Sequence, residues 1–176
     1  MVRPRRFEHL GDARFVTFSC VGRLPLLGTA AIRDAFVERL GRARELRGFE
    51  LYAWVVMPEH VHLLLRPGAG DTLAGVLQVI KQPFAKRVVA RWREIGAPVL
   101  ERVRRGDGRI VFWQRGGGYD RNVRDGDEFR KKIAYIHANP VRRGLVEREV
   151  DWEWSSARQY AGMEDRLKVE ADRVAV

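Results

Sequence analysis

Two apolar runs rich in β-branched and aromatic residues, Phe49 to Val56 and His60 to Leu65, flank a tight Met57-Pro58-Glu59 turn, and Arg66-Pro67-Gly68 stops the second run. Runs of this composition and length read as strands, and so short a turn makes them antiparallel neighbours. A hairpin in mid-chain calls for a sheet, so the segments around it must extend or cover that sheet. Arg14 to Val21 reads as a first strand, ended by Gly22 and the turn at Pro25. Thr29 caps a helix from Ala30 to about Arg47, in which Ile32, Phe36, Val37, Leu40, Ala43 and Leu46 recur at helical spacing and which Gly48 closes.

Beyond the hairpin, Asp71 or Thr72 caps a second helix through roughly Trp92, with Pro83 expected to kink it or split it. Gly96 to Gly108 is a charged connection, Arg109 to Gln114 a short strand, Gly116-Gly117-Gly118 a flexible break that marks a hinge, and Tyr119 to Val123 another extended piece. Asp125 to about Asn139 forms the last long helix, with Asp127 and Glu128 in its first turn and Pro140 ending it. The order strand, helix, strand, strand, helix, strand, helix predicts an α+β fold: a ferredoxin-like antiparallel sheet with helices packed on one face. No repeat or linker divides the 176 residues, so a single domain is expected, with a core of about 12–160 and a short tail over 161–176.

Apolar residues make up 45% and charged residues 32% of the chain, a globular composition. Lys and Arg number 33 against 23 Asp and Glu, a formal charge of +10 that favours a polyanionic partner. Arg dominates among the cations, which suits forked contacts to phosphate. The single cysteine, Cys20, excludes an internal disulfide and fits a reducing cytoplasm. The basic N-terminus lacks the apolar segment of a signal peptide and no stretch is long enough to span a bilayer, so a cytoplasmic protein without a membrane partner is expected.

Side chains alternate along a strand, so His60 and His62 point to one face while Val61, Leu63 and Leu65 point to the other. Two neutral imidazoles side by side can share a divalent cation, although a His-x-His pair also occurs on polar faces without metal. In the last long helix Tyr135 and Asn139 are four apart and share a face. A phenol is a weak nucleophile at its ordinary pKa of about 10, so phosphoryl chemistry at Tyr135 requires a metal to polarise the phosphate. Asn139 can add an oxygen ligand to the two nitrogens, leaving positions open for phosphate and water. Periodicity alone favours Tyr135 as a packing residue on the buried helix face, beside Ile136 and near Ile133.

Met57-Pro58-Glu59-His60-Val61-His62-Leu63-Leu64 resembles the HUH motif of single-tyrosine transposases. Three later segments narrow the resemblance to the REP-associated tyrosine transposases: Phe112-Trp113-Gln114-Arg115-Gly116, Tyr119-Asp120-Arg121-Asn122-Val123-Arg124, and the run from Tyr135-Ile136-His137-Ala138-Asn139-Pro140 to Val146. The tail Trp152-Glu153-Trp154-Ser155-Ser156-Ala157 is similar as well, so the likeness runs from roughly Arg14 to Tyr160. The resemblance implies a metal-dependent single-strand DNA endonuclease and strand transferase that acts on REP-like palindromic hairpins through a 5′-phosphotyrosine link. It makes Tyr135 the nucleophile, His60 and His62 metal ligands for Mg²⁺ or Mn²⁺, and Asn139 the polar ligand that relatives often fill with Gln. Relatives occur as monomers and as homodimers. The Gly116-Gly117-Gly118 spacer departs from the family, in which it is typically shorter, and leaves the placement of Tyr119 open.

Lys81, Lys86 and Arg87 on the second helix are candidates to track a hairpin stem, with Arg115, Arg121 and Arg124 nearer the expected site. Trp152 is a candidate to stack on a base, whereas Trp154 is expected to pack on the domain. Three rival readings remain at this point: a non-catalytic DNA-binding regulator of the same fold, an RNA-binding module using Tyr52 and Trp54, and a hydrolytic zinc enzyme. The last needs a third ligand, for which His9 and His137 are the candidates.

Overall fold

The computed structural model describes residues 13–116 and 119–171. Four strands, β1 (Arg14–Ser19), β2 (Glu50–Val56), β3 (His60–Arg66) and β4 (Tyr119–Asn122), form one sheet in the order β2-β3-β1-β4. Every pairing is antiparallel. The helices are α1 (Ala30–Arg47), α2 (Leu73–Glu94), the short α3 (Val99–Val103), α4 (Gly126–Arg142) and the short α5 (Ala157–Tyr160). This is the α+β, ferredoxin-like class expected from the order of elements. Among the described residues no helix is long and apolar enough to cross a membrane.

The cover of the sheet differs from the expectation of helices on one face only. Val16 and Phe18 of β1 and Val61, Leu63 and Leu65 of β3 pack with α1 and α2 residues such as Phe36, Leu40, Ile80 and Phe84. Phe15 and Leu64, on the opposite face, pack with Phe129, Ile133 and Ile136 of α4. The sheet is therefore sandwiched, α1 and α2 behind it and α4 in front. Burial on both faces is why β2 and β3 read as nearly continuous apolar runs rather than as alternating ones.

Local signals place the helix ends. Thr29 accepts from Ile32 N, Thr72 from Gly75 N and Asp125 from Glu128 N, each the side-chain cap that satisfies a first-turn donor. Gly48 closes α1 with φ 62°, a left-handed conformation that costs a residue with a Cβ. The two helical prolines depart from expectation, because α2 continues through Pro83 and α4 through Pro140. A proline leaves the carbonyl four residues earlier without its helical donor. At Pro83 that carbonyl is Val79 O, and Arg39 Nε of α1 donates to it at 2.7 Å. Pro140 lies in the last turn of α4, where little helix remains to be disrupted.

Arg109 to Gln114 forms no full strand; Ile110 and Trp113 make isolated bridges to Arg104 and Cys20. The hinge expected at 116–118 involves Gly117 and Gly118, which lie outside the described residues. The open edge of β2 is closed by the aromatic tail: Val56 N donates to Trp154 O at 2.8 Å and Ser156 N to Trp54 O at 3.0 Å. Further along, Glu170 N donates to Leu51 O at 3.0 Å. A covered edge cannot recruit a foreign strand. The opposite edge, β4, is short and carries Tyr119, Asp120, Arg121 and Asn122, all exposed.

Candidate active site

The turn between β2 and β3 puts His60 and His62 on the α4 side of the sheet, both 4% exposed. Their Nε2 atoms lie 3.0 Å apart, with ring planes at 78°. Each ring is fixed from behind. His60 Nδ1 is 3.0 Å from Glu59 Oε1, and His62 Nδ1 is 2.6 Å from Thr17 Oγ1, its cross-strand neighbour on β1. Phe15 stacks on His62 with centroids 5.5 Å apart. Burial, the largest influence, lowers the pKa of His60, against the opposing pull of Glu59. His62 falls to about 3, again chiefly through burial, with His60 adding to the effect. Both rings are therefore neutral near pH 7, the state in which an imidazole is a ligand.

The hydrogen bonds also bear on whether the residues fit a cation. A carboxylate only accepts, so His60 Nδ1 carries the proton and its Nε2 presents a lone pair to His62. With a cation present, His62 takes the same tautomer, donating Nδ1–H to Thr17, and two lone pairs converge on one point. Without one, His62 carries its proton on Nε2 and Thr17 donates to Nδ1. The same heavy-atom positions serve both states. A 3.0 Å separation is close enough for both nitrogens to reach one divalent cation. Glu59 behind His60 is the carboxylate–histidine support common at metal ligands.

Helix α4 brings the phenol to this pair. The Tyr135 ring lies 5.4 Å from the His62 ring and 5.8 Å from Phe15, and it is 38% exposed. Asn139, one turn on, donates Nδ2–H to Tyr135 O at 2.7 Å and lines the same cavity as His62. The four residues line one open cavity of about 600 Å³, together with Phe15, Thr17, Tyr119 and the cations Arg23, Lys132, Arg142 and Arg143. Lys132 Nζ stands 4.5 Å from the Phe15 ring centroid and Arg142 Cζ 5.3 Å from that of Tyr135. The buried Glu59 ties two of the remaining cations to the histidine pair: its Oε1 is 3.0 Å from Arg143 Nη1 and 3.7 Å from Arg23 Nη2. Arg23 is also the one non-glycine with positive φ (52°) among the described residues, a backbone strain of order 1–3 kcal/mol held beside the cavity.

The four cations, Thr17 and Glu59 were not singled out by sequence. Lys132, Tyr135, Asn139 and Arg142 follow one another at spacings of three, four and three, so helical periodicity marks the α4 stripe. Thr17 enters through strand register, which has no local signal.

The expected DNA contacts divide. Arg121 lies on the cavity side of β4 and pairs with Glu128 at 3.1 Å; Arg124 is exposed at the start of α4. Arg115 is exposed and lines a second, smaller cavity with Arg105 and Arg109. Lys86 and Arg87 are exposed on α2, on the far side of the sheet from the histidines, and Arg87 pairs with Glu38 at 3.1 Å. Two expectations are corrected. Lys81 does not stand free on a basic face: its Nζ packs 5.1 Å from the Phe18 ring centroid and 5.8 Å from that of Trp113, and burial lowers its pKa. Trp152 is 8% exposed, donates Nε1–H to Val56 O at 3.1 Å and lies beneath the Arg33 guanidinium, so it has no free face for a base. Trp154 packs, as expected, with its Nε1 on Asp34.

Among the described residues there is no third ligand for a zinc hydrolase. His137 turns away to Ser156 Oγ at 2.9 Å, and His9 lies outside the described residues. Among the described residues no three His, Cys, Asp or Glu side chains gather around one point.

No family model matches the chain. It is 28% identical over 159 residues to the REP-associated tyrosine transposase of Escherichia coli K12, covering 89% of this chain and 82% of that protein. A solved structure of a REP-associated tyrosine transposase bound to a REP hairpin superposes with a TM-score of 0.64 at 23% identity, covering 97% of this chain and 93% of the other. The chain is thus similar in sequence, along most of its length, to a REP-associated tyrosine transposase, and it shares the fold of one along nearly all of it.

Proposed function

We propose that the chain is a single catalytic domain that cleaves and rejoins single-stranded DNA bearing a REP-like hairpin, with Tyr135 as the nucleophile. The observation that carries this reading is the meeting of the Tyr135 phenol, the paired histidine nitrogens and a ring of cations in one open cavity. Tyr135 Oη attacks the scissile phosphorus as its proton passes to solvent, the bond from phosphorus to the 3′ oxygen breaks, and the departing oxygen takes up a proton from water. The products are a 5′-phosphotyrosine on the protein and a free 3′-hydroxyl. Attack by another 3′-hydroxyl reverses the step and joins strands.

His60, His62 and Asn139 are the residues that would hold a divalent cation, Mg²⁺ or Mn²⁺, which supplies polarisation of the phosphate and neutralises charge in the transition state. Lys132 and Arg142 flank the phenol and bind the phosphate oxygens as negative charge moves onto them. Phe15 and Asn139 fix the orientation of the nucleophile, Phe15 from below and Asn139 through the Tyr135 carbonyl. Substrate of this kind places the protein at the nucleoid, in the cytoplasm.

Incubation with Mn²⁺ and a labelled single strand carrying a REP-like palindrome is expected to give a denaturant-resistant protein–DNA adduct. Tyr135→Phe is expected to abolish the adduct while leaving hairpin binding within about twofold, since the lost hydroxyl contributes at most a fraction of a kcal/mol to binding. An undiminished adduct would move the nucleophile elsewhere, with Tyr119 the first alternative. A shifted band with no adduct from the wild type would leave a binding protein only.

A further inference from the structure

We infer that Tyr119 is a stacking platform for an unpaired base of the DNA strand whose phosphate enters the histidine cavity, and that it helps the site select single strands over duplex. The inference rests on the single-strand DNA reading and adds to it a residue and a mode of recognition.

Position comes first. Tyr119 pairs across β1 with Thr17, and Thr17 pairs with His62, so the three stand in a row across the sheet. Directly paired residues of an antiparallel sheet share a face, which puts Tyr119 on the cavity side, two strand spacings or about 10 Å from the His62 backbone. That is the reach of a base from its own phosphate. The ring is 49% exposed and packs edge-on against Phe15, centroids 6.0 Å apart at 66°. Phe15 is thus a buried floor shared by two exposed phenols: Tyr135 meets it edge-on from one side and Tyr119 from another.

Position separates the roles of those two rings. Tyr135 lies against His62, whereas Tyr119 sits on the edge strand at the rim of the cavity. An exposed aromatic beside a cation-lined cavity suits a nucleobase, because a base presents a π-face whatever its sequence. A base inside a duplex is already stacked and cannot use the ring. The cations Arg23, Lys132, Arg142 and Arg143 attract either form of DNA, so the platform supplies a discrimination that charge does not.

The test uses the full chain and fluorescence anisotropy with three labelled probes: a twelve-residue oligothymidylate, the same strand annealed to oligoadenylate, and an abasic strand of equal length. Tyr119→Ala is expected to weaken oligothymidylate binding between about fivefold and about 150-fold, the range for losing one stacked base. Binding to duplex and to the abasic strand is expected to stay unchanged. Tyr119→Phe, which keeps the ring and loses only the hydroxyl, is expected to bind oligothymidylate like the wild type. The inference is overturned by unchanged oligothymidylate binding in Tyr119→Ala, by an equal loss on all three probes, by an equal loss in Tyr119→Phe, or by a wild type that does not bind oligothymidylate. None of these readouts depends on the Tyr135 adduct. A missing adduct with intact stacking therefore refutes the catalytic reading alone, and the reverse result refutes the platform alone.

Discussion

Replacing Glu59 with alanine tests whether the histidine pair is a metal seat, without touching either ligand. One oxygen of Glu59, Oε1, accepts from His60 Nδ1 and forms an ion pair with Arg143 Nη1, both at 3.0 Å. In Glu59→Ala the His60 ring loses the acceptor that keeps its proton on Nδ1, and the Nε2 lone pair becomes one of two competing tautomers. Removing such a support behind a ligating histidine weakens metal binding about 10- to 100-fold, or roughly 1.4–2.7 kcal/mol. Glu59→Gln keeps an oxygen acceptor and removes only the charge, so its loss is expected near the lower bound. Folding is expected to lose about 1–3 kcal/mol, because the buried His60 Nδ1–H is left without its acceptor, while the half-exposed Arg143 regains water. Titration of the metal-free protein with Mn²⁺ by calorimetry measures the effect directly, with no DNA and no turnover. Unchanged Mn²⁺ affinity in Glu59→Ala, or an equal loss in Glu59→Gln, would refute the argument that this carboxylate acts through the His60 tautomer.

Two further outcomes follow from buried groups away from the cavity. Burial holds His137 at about 4, below the ordinary value near 6.5. A histidine depressed in the folded state contributes its full stability above the unfolded value and loses it as pH falls toward the folded one. For His137 that window is about 6.5 down to 4, and between pH 7 and 5 it amounts to about 2 kcal/mol. Urea unfolding at the two pH values should therefore show a smaller drop in His137→Gln than in wild type; equal drops would mean that His137 is not the titrating group. Trp152→Ala is expected to cost about 3–5 kcal/mol of stability, as for a buried large ring, with single-strand binding of the folded protein unchanged. A variant of wild-type stability that had lost DNA affinity would return Trp152 to the binding surface.

Elements whose cause is local were legible in the sequence. The hairpin, the Thr29 cap and the Gly48 closure each follow from a few adjacent residues and stand where the pattern put them; of Asp71 and Thr72 it is Thr72 that caps α2, and Asp125, expected as the first helical residue, caps α4. Features with a distant cause were not. Pro83 remains inside α2 because a guanidinium from α1 supplies the missing donor, and nothing near Pro83 announces Arg39. The two-sided cover of the sheet was hidden for a similar reason: β2 and β3 are buried on both faces, so the alternation that would assign a face is absent.

The candidate site divides along the same line. His60 and His62 share a face by strand period, Tyr135 and Asn139 by helix period, and each pair is visible alone. That the two pairs meet is a tertiary fact, and so is the support from Thr17 and Glu59 behind the rings. Net charge was the weakest guide to the surface. A sum of +10 does not distinguish Lys81, whose ammonium packs over Phe18 and Trp113, or Arg87, paired with Glu38 behind the sheet, from Lys132 and Arg142 beside the phenol. What separates them is the helix that carries them, since α4 alone faces the histidines. A cation is therefore better weighed by its spacing from the catalytic candidates: around Tyr135 and Asn139 that rule selects Lys131, Lys132, Arg142 and Arg143, three of which line the cavity.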